Sequence, residues 1–200
     1  MNVLELYSGI GGMHLALKGI GLVLYINSVK LLCNFAESNV SGKVIAAIDI
    51  NTTANTVYEY NFPDTKLYNR NIQSISAEFV NRLNIDTILM SPPCQPFTRN
   101  GLKQDIDDPR TSSFIHVLDL LPKITAENML IENVKGFELS EMRSRLIEKL
   151  NEVGYNFQEF MLTPTQFGVP NSRCRYYCIA RKFPHKLCFE TGLLVCYYYY

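Results

Sequence analysis

A chain of 200 residues with 47% hydrophobic content can bury a sizeable core and suits one domain. Its 19 Lys and Arg balance its 19 Asp and Glu, so no global basic field holds nucleic acid; any such partner needs a local patch. Six cysteines without C-x-x-C spacing, and no secretory signal, argue for reduced thiols in an intracellular compartment over a disulfide framework or a zinc site. The apolar stretch at 21–35, interrupted by Asn27 and Lys30, is too short to span a membrane.

Short β-rich runs alternate with helical patterns along the chain, which predicts a parallel α/β sheet with flanking helices. VLEL (3–6) reads as a buried strand entering a glycine turn. KVIAAIDI (43–50) is a second strand ending in an acid, and TTANTVYEYN (52–61) is helical up to Phe62-Pro63. Ser76 caps a helix over 77–83, and DTILM (86–90) is a third strand. Thr111 caps a helix over 112–121 that Pro122 stops, and NMLIEN (128–133) is a fourth strand. Ser140 caps a helix with Met142, Leu146, Leu150 and Val153 on one face and Gly154 at its end. The runs 155–162 and 175–180 read as strands. From Arg181 on there is neither a clear period nor a capped element.

The turn Gly9-Ile10-Gly11-Gly12 between a strand and a helix is the layout for a nucleotide-like ligand. The dinucleotide fingerprint asks for a third glycine where His14 stands, which disfavours NAD. A cofactor without phosphate, such as S-adenosylmethionine, remains open: its carboxylate could take backbone N–H groups, Asp49 suits a ribose diol, and Ile50 offers adenine an apolar face. Gly12 and Asp49 lie 37 positions apart, where such a βαβ unit expects about 20. Removing residues 19–36 restores the spacing, and their strand-like composition marks them as an insert.

SPPCQPFTRNG (91–101) sets Cys94 behind two prolines. Each proline fixes φ and restricts its predecessor, so the thiol is aimed. Carbon 5 of cytosine is a poor nucleophile until a thiolate adds to carbon 6. That chemistry needs a positioned cysteine, a proton donor at ring nitrogen 3 and a base for elimination. Glu132, ending the fourth strand, is the acid a parallel sheet places at its carboxyl edge. Arg173 and Arg175 suit a role in lowering the thiol pKa or holding base and phosphate. The zinc-deaminase pattern fails at Phe97, where a cysteine is required.

LELYSGIGGMHLAL, AAIDINTTANTVYEYNFP, ILMSPPCQPFTRNG, IENVKGFE and FGVPNSRCRYY, taken in order, resemble the successive motifs of cytosine-5 methyltransferases. The resemblance is strongest to the tRNA branch of the DNA cytosine-5 methyltransferase family and covers residues 2–18 and 37–180. In the DNA enzymes the cysteine motif usually opens with Gly and ends in Ser, and the arginine motif carries Gln; here Ser91, Phe97-Thr98 and Asn171 stand there.

The resemblance implies a Rossmann-like sheet whose catalytic domain spans 1–180. It implies Cys94 as nucleophile, Glu132 as ring protonator, and Arg173 and Arg175 as the active-site arginines. Ile10, Gly11, Gly12, Asp49, Ile50, Ile72, Gln73 and Ser91 match contacts to S-adenosyl-L-methionine. Residues 95–110 match the loop that closes over a flipped base. The expected partner is tRNA, with DNA as the alternative, and the expected protein is a monomer of the cytoplasm or nucleus without metal or membrane contact. His14, His116 and His185 are read as structural. The family's target-recognition region should follow Ala180 and does not. The 200-residue chain is therefore expected to be C-terminally truncated, with an atypical tail at 181–200, poor solubility and little activity; a catalytically inactive product that at most binds cofactor is the third reading.

Overall fold

The computed structural model describes residues 1–18, 23–26, 29–32, 41–93, 111–185, 187 and 193–195. In chain order these form β1 (Asn2–Leu6), α1 (Gly12–Leu17), β2 (Val23–Ile26), β3 (Val29–Leu32), β4 (Lys43–Asp49), α2 (Thr52–Asn61), β5 (Lys66–Asn69), α3 (Ala77–Arg82) and β6 (Thr87–Met90). There follow α4 (Ser112–Leu120), β7 (Asn128–Val134), α5 (Glu141–Val153), β8 (Tyr155–Leu162), β9 (Arg175–Lys182) and β10 (Leu193–Val195).

The main sheet runs β10-β8-β9-β7-β6-β1-β4-β5. β1 lies inside it, parallel to β4 on one side and β6 on the other. Helices cover both faces, so these strands read as unbroken apolar runs: Val3, Leu4, Leu6, Ala46, Ala47, Ile48, Ile88 and Met90 are all essentially inaccessible. β7 continues in parallel from β6. The carboxyl ends of β4, β1, β6 and β7 therefore share one edge, where open α/β sheets place their ligands.

The expected α/β sheet with flanking helices is present, and one strand within it runs against the parallel set. β9 pairs antiparallel with both β7 and β8, because β8 and β9 are joined by 163–174 and β9 slots between β8 and β7. Two strands were not foreseen. β5 is a four-residue edge strand with no buried position, so it lacks an apolar signal. β10, inside the unassigned tail, pairs parallel with β8. Thr111 does occupy the N-cap of α4, but its side chain makes no capping bond.

Other local expectations hold for plain physical reasons. Ser76 Oγ accepts from Phe79 N–H and Ser140 Oγ accepts from Arg143 N–H, each satisfying an amide that a helix start leaves unpaired. Gly154, at φ 83°, ends α5 in the left-handed conformation glycine tolerates best. Met142, Leu146 and Leu150 of α5 are fully buried. Arg143 on the same helix is pinned to the sheet: its Nε donates to Glu159 Oε1 at 2.8 Å, its Nη2 pairs with the other oxygen, and Tyr176 donates to Oε1 at 2.8 Å. That network ties α5 to β8 and β9 through a buried, fully partnered carboxylate.

β2 and β3 form a separate antiparallel pair, Val23 facing Leu32 and Ile26 facing Val29. Their strand character agrees with the composition of 19–36. No strand of the main sheet pairs with them among the described residues, so the sheet's register does not depend on them. Deleting 19–36 is expected to raise the melting temperature measured by calorimetry, because the segment adds loop-closure entropy and apolar residues without lengthening the sheet. A fall in melting temperature would show that it packs as part of the core.

Candidate active site

β1 ends in a sharp turn. Tyr7 adopts φ 56° and Gly9 and Gly11 adopt 51° and 90°, and Gly11 N–H donates to the Ser8 carbonyl at 2.8 Å. Gly9 N–H donates to Asp49 Oδ2 at 2.8 Å and Asn51 N–H to Oδ1 at 2.8 Å. The turn after β1 thus holds the acid after β4. Each oxygen of Asp49 accepts one amide, and a carboxylate has about four lone-pair directions, so capacity remains for a diol.

Asp49, Ile50, Ile72 and Gln73 line one cavity of about 310 Å³ together with Tyr7 and Pro93. That volume falls at the lower end for small-molecule pockets, and its walls are mainly apolar with a few polar groups. Ile50 is 64% exposed at its mouth and Ile10 is 63% exposed on the turn, so two apolar side chains are open to a flat ring. Gly12 begins α1, and Ser91, at the end of β6, donates to Met13 Sδ at 3.7 Å. Ile10, Gly11, Gly12 and Ser91 frame the cavity's neighbourhood and are not among its lining residues. Ser8 Oγ beneath the turn is buried and has no partner among the described residues. The donor set fits a nucleoside with a ribose diol.

Tyr7 carried no functional signal in the sequence. Its phenol, raised above the usual range by burial, stays protonated and donates to Ser113 Oγ at 3.1 Å, while Gln73 Nε2 donates to Ser112 Oγ at 3.0 Å. The start of α4 is thereby fastened to the cavity wall from two sides. His116 Nε2 sits 2.9 Å from the Ile75 carbonyl and adds a third tie.

Further along the same edge, Glu132 near the end of β7 faces Tyr177 of β9. Arg175 Nε lies 3.3 Å from Glu132 Oε1, and Arg175 Nη1 donates to the Cys174 carbonyl at 2.8 Å. The Arg175–Glu132 pair is ionic without an aligned hydrogen bond, since Nε has no hydrogen-bond partner among the described residues. Arg173 is exposed, its backbone N–H held by Asn171 Oδ1 at 3.1 Å. Cys94 and the 95–110 loop lie outside the described residues. Cys178, within β9, is unsuited to nucleophilic work: burial pushes its thiol up to about 12.

A larger groove of about 480 Å³ runs between α4 and α5. Asp119, Glu141, Arg145, Glu148, Lys149 and Glu152 line it, so it is a solvated charged face, and it shares no lining residue with the Asp49 cavity.

The profile of the C-5 cytosine-specific DNA methylase family matches residues 1–189. A Spodoptera frugiperda protein named tRNA (cytosine(38)-C(5))-methyltransferase is 50% identical over 182 residues, 90% of this chain and 49% of that one. The human protein of the same name is 48% identical over 193 residues, 96% of this chain and 45% of its own length. The crystal structure of a Spodoptera frugiperda DNMT2 mutant superposes with a TM-score of 0.78 at 47% identity, covering 98% of this chain and 55% of that one. The chain spans about half the length of the curated relatives it matches. With its motifs in order on a Rossmann-like sheet, it belongs to the cytosine-5 methyltransferase family.

Proposed function

We propose that this chain carries the catalytic portion of a methyltransferase acting on carbon 5 of cytosine in tRNA, through a covalent adduct with Cys94. The observation that carries this reading is the Glu132–Arg175 pair, 3.3 Å apart, on the same sheet edge as the Asp49 cavity. The acid and the cofactor cavity can then serve one reacting pair, the base and the methyl donor. Asp49 would hold the ribose diol of S-adenosylmethionine, with Ile50, Ile72 and Gln73 around the nucleoside and Ile10, Gly11, Gly12 and Ser91 beyond the cavity lining, toward the rest of the cofactor. When bound, that cofactor supplies an electrophilic methyl group.

The remaining chemistry belongs to the protein. The Cys94 thiolate adds to carbon 6 of cytosine, and Glu132, which must carry a proton when the base is bound, gives it to ring nitrogen 3, so electron density accumulates at carbon 5. After methylation, a base removes the carbon 5 proton, the thiolate leaves carbon 6, and ring nitrogen 3 returns its proton to Glu132. Arg175 keeps Glu132 oriented toward the edge, and exposed Arg173 is free to meet phosphate. The choice of tRNA rests on the names of relatives 48–50% identical, which also point to position 38. Duplex DNA is the second reading, favoured by the family's description as DNA methylases.

The test offers labelled cofactor with tRNA and with duplex DNA, to this chain and to one extended to the relatives' length. Label in tRNA is expected; label in DNA alone, or none with the extended chain, overturns the reading. Cys94→Ala should reduce transfer below about a thousandth of the unmodified rate while leaving cofactor affinity unchanged. Turnover well above that level would remove Cys94 as nucleophile. Asp49→Ala should weaken cofactor binding by about 1–3 kcal/mol, the loss of charge-assisted hydrogen bonds; equal affinity by calorimetry would place the ribose elsewhere.

A further inference from the structure

A carboxyl group stands inside β1, a strand buried from Val3 to Leu6. Glu5 of β1 is 1% exposed, and a charge so placed needs partners. Tyr58 of α2 donates its hydroxyl hydrogen to Glu5 Oε2 at 2.9 Å, and the His14 backbone N–H of α1 donates to Oε1 at 3.3 Å. His14 Nδ1 lies 2.8 Å from the Tyr58 oxygen. Its ring stacks on Phe62 with centroids 3.8 Å apart and planes 12° from parallel. Phe62 in turn fills the space over Gly11, where a Cβ would meet it at 2.2 Å.

We propose that Glu5 is a positioning residue for the cofactor cavity: by clamping the first turn of α1 to Tyr58 it fixes the glycine turn, whose Gly9 N–H orients the Asp49 carboxylate. This rests on the reading that the cavity takes S-adenosylmethionine. With Glu5 ionised, the chain of bonds runs from His14 Nδ1–H to the Tyr58 oxygen and from the Tyr58 O–H to Glu5. A neutral group at position 5 reverses it, donating to Tyr58, which then donates to an unprotonated Nδ1.

Energetics separate this role from plain scaffolding. Burial pushes the Glu5 carboxyl up to about 7, with the Asp49 charge adding and the bonds from Tyr58 and His14 opposing. His14, depressed to about 4 by burial and then by Lys18, stays neutral. A carboxyl raised in the native state binds its proton more tightly than the unfolded chain does. Stability therefore falls as pH climbs from the ordinary carboxyl value to about 7.

The experiment compares the unmodified chain with E5A, E5Q and Y58F. It measures S-adenosylhomocysteine affinity by calorimetry, Gly9 amide exchange without ligand, and the His14 imidazole tautomer from nitrogen shifts. E5A should weaken affinity about tenfold or more and speed Gly9 exchange, while the amides of β6 keep their protection. E5Q should restore both to within about threefold, with His14 now carrying its proton on Nε2. Should E5A fail to fold, Y58F serves, losing the hydroxyl's bonds to Glu5 and His14 yet keeping the ring and the His14 N–H bond to Glu5, and is expected to show the same changes at smaller size. Unchanged Gly9 protection in E5A or, if that fails to fold, in Y58F, or equal loss across β6, overturns the proposal. No binding by the unmodified chain sinks the cofactor reading instead, and Gly9 exchange still decides the role of Glu5.

Discussion

There is no room for a side chain at Gly11, in the turn that follows β1. A Cβ on Gly11 would stand 2.2 Å from a Phe62 ring carbon and 3.1 Å from Tyr58, on a backbone at φ 90°. That close approach lets α2 press against the turn after β1. It also fixes where Asp49, at the end of the strand leading to α2, meets the Gly9 amide. A larger residue would strain the backbone and displace the aromatic rings together. The cavity's geometry follows from this contact more than from any polar group lining it.

The second half of the site depends on topology. β9 enters the sheet against the direction of its neighbours and between strands distant in sequence. Only that insertion sets Arg175 opposite Val134 and beside Glu132. The buried network of Arg143, Glu159 and Tyr176 secures β8 and β9 to α5, so the Glu132–Arg175 pair stands on a rigid base. The Asp49 cavity and the acid–arginine pair are thus built by different elements that share one edge.

Much of this was legible in the sequence because burial leaves a direct mark. Strands covered on both faces appear as apolar runs, and Ser76, Ser140 and Gly154 announce helix ends by their own hydrogen bonding or dihedral freedom. Asp49, Ile50, Ile72 and Gln73 were assigned by motif and do converge on one cavity. What escaped was non-local. The direction of β9 is set by pairing, which no local pattern encodes. β5 is too short and exposed to alternate. Tyr7 looks like any aromatic beside glycine until its φ is known. Glu5 did leave a signal, a single charge within the apolar run VLEL, and a buried carboxylate there demanded donors that the sequence could not place.

A crystal structure of this chain with S-adenosylhomocysteine would show whether the cavity beside Asp49 takes the proposed nucleoside cofactor. Ribose hydroxyls are expected within about 3.2 Å of the Asp49 carboxylate, with the adenine against Ile50 and the wall formed by Ile72. A nucleoside bound in the groove between α4 and α5, or in the cavity without touching Asp49, would contradict that placement.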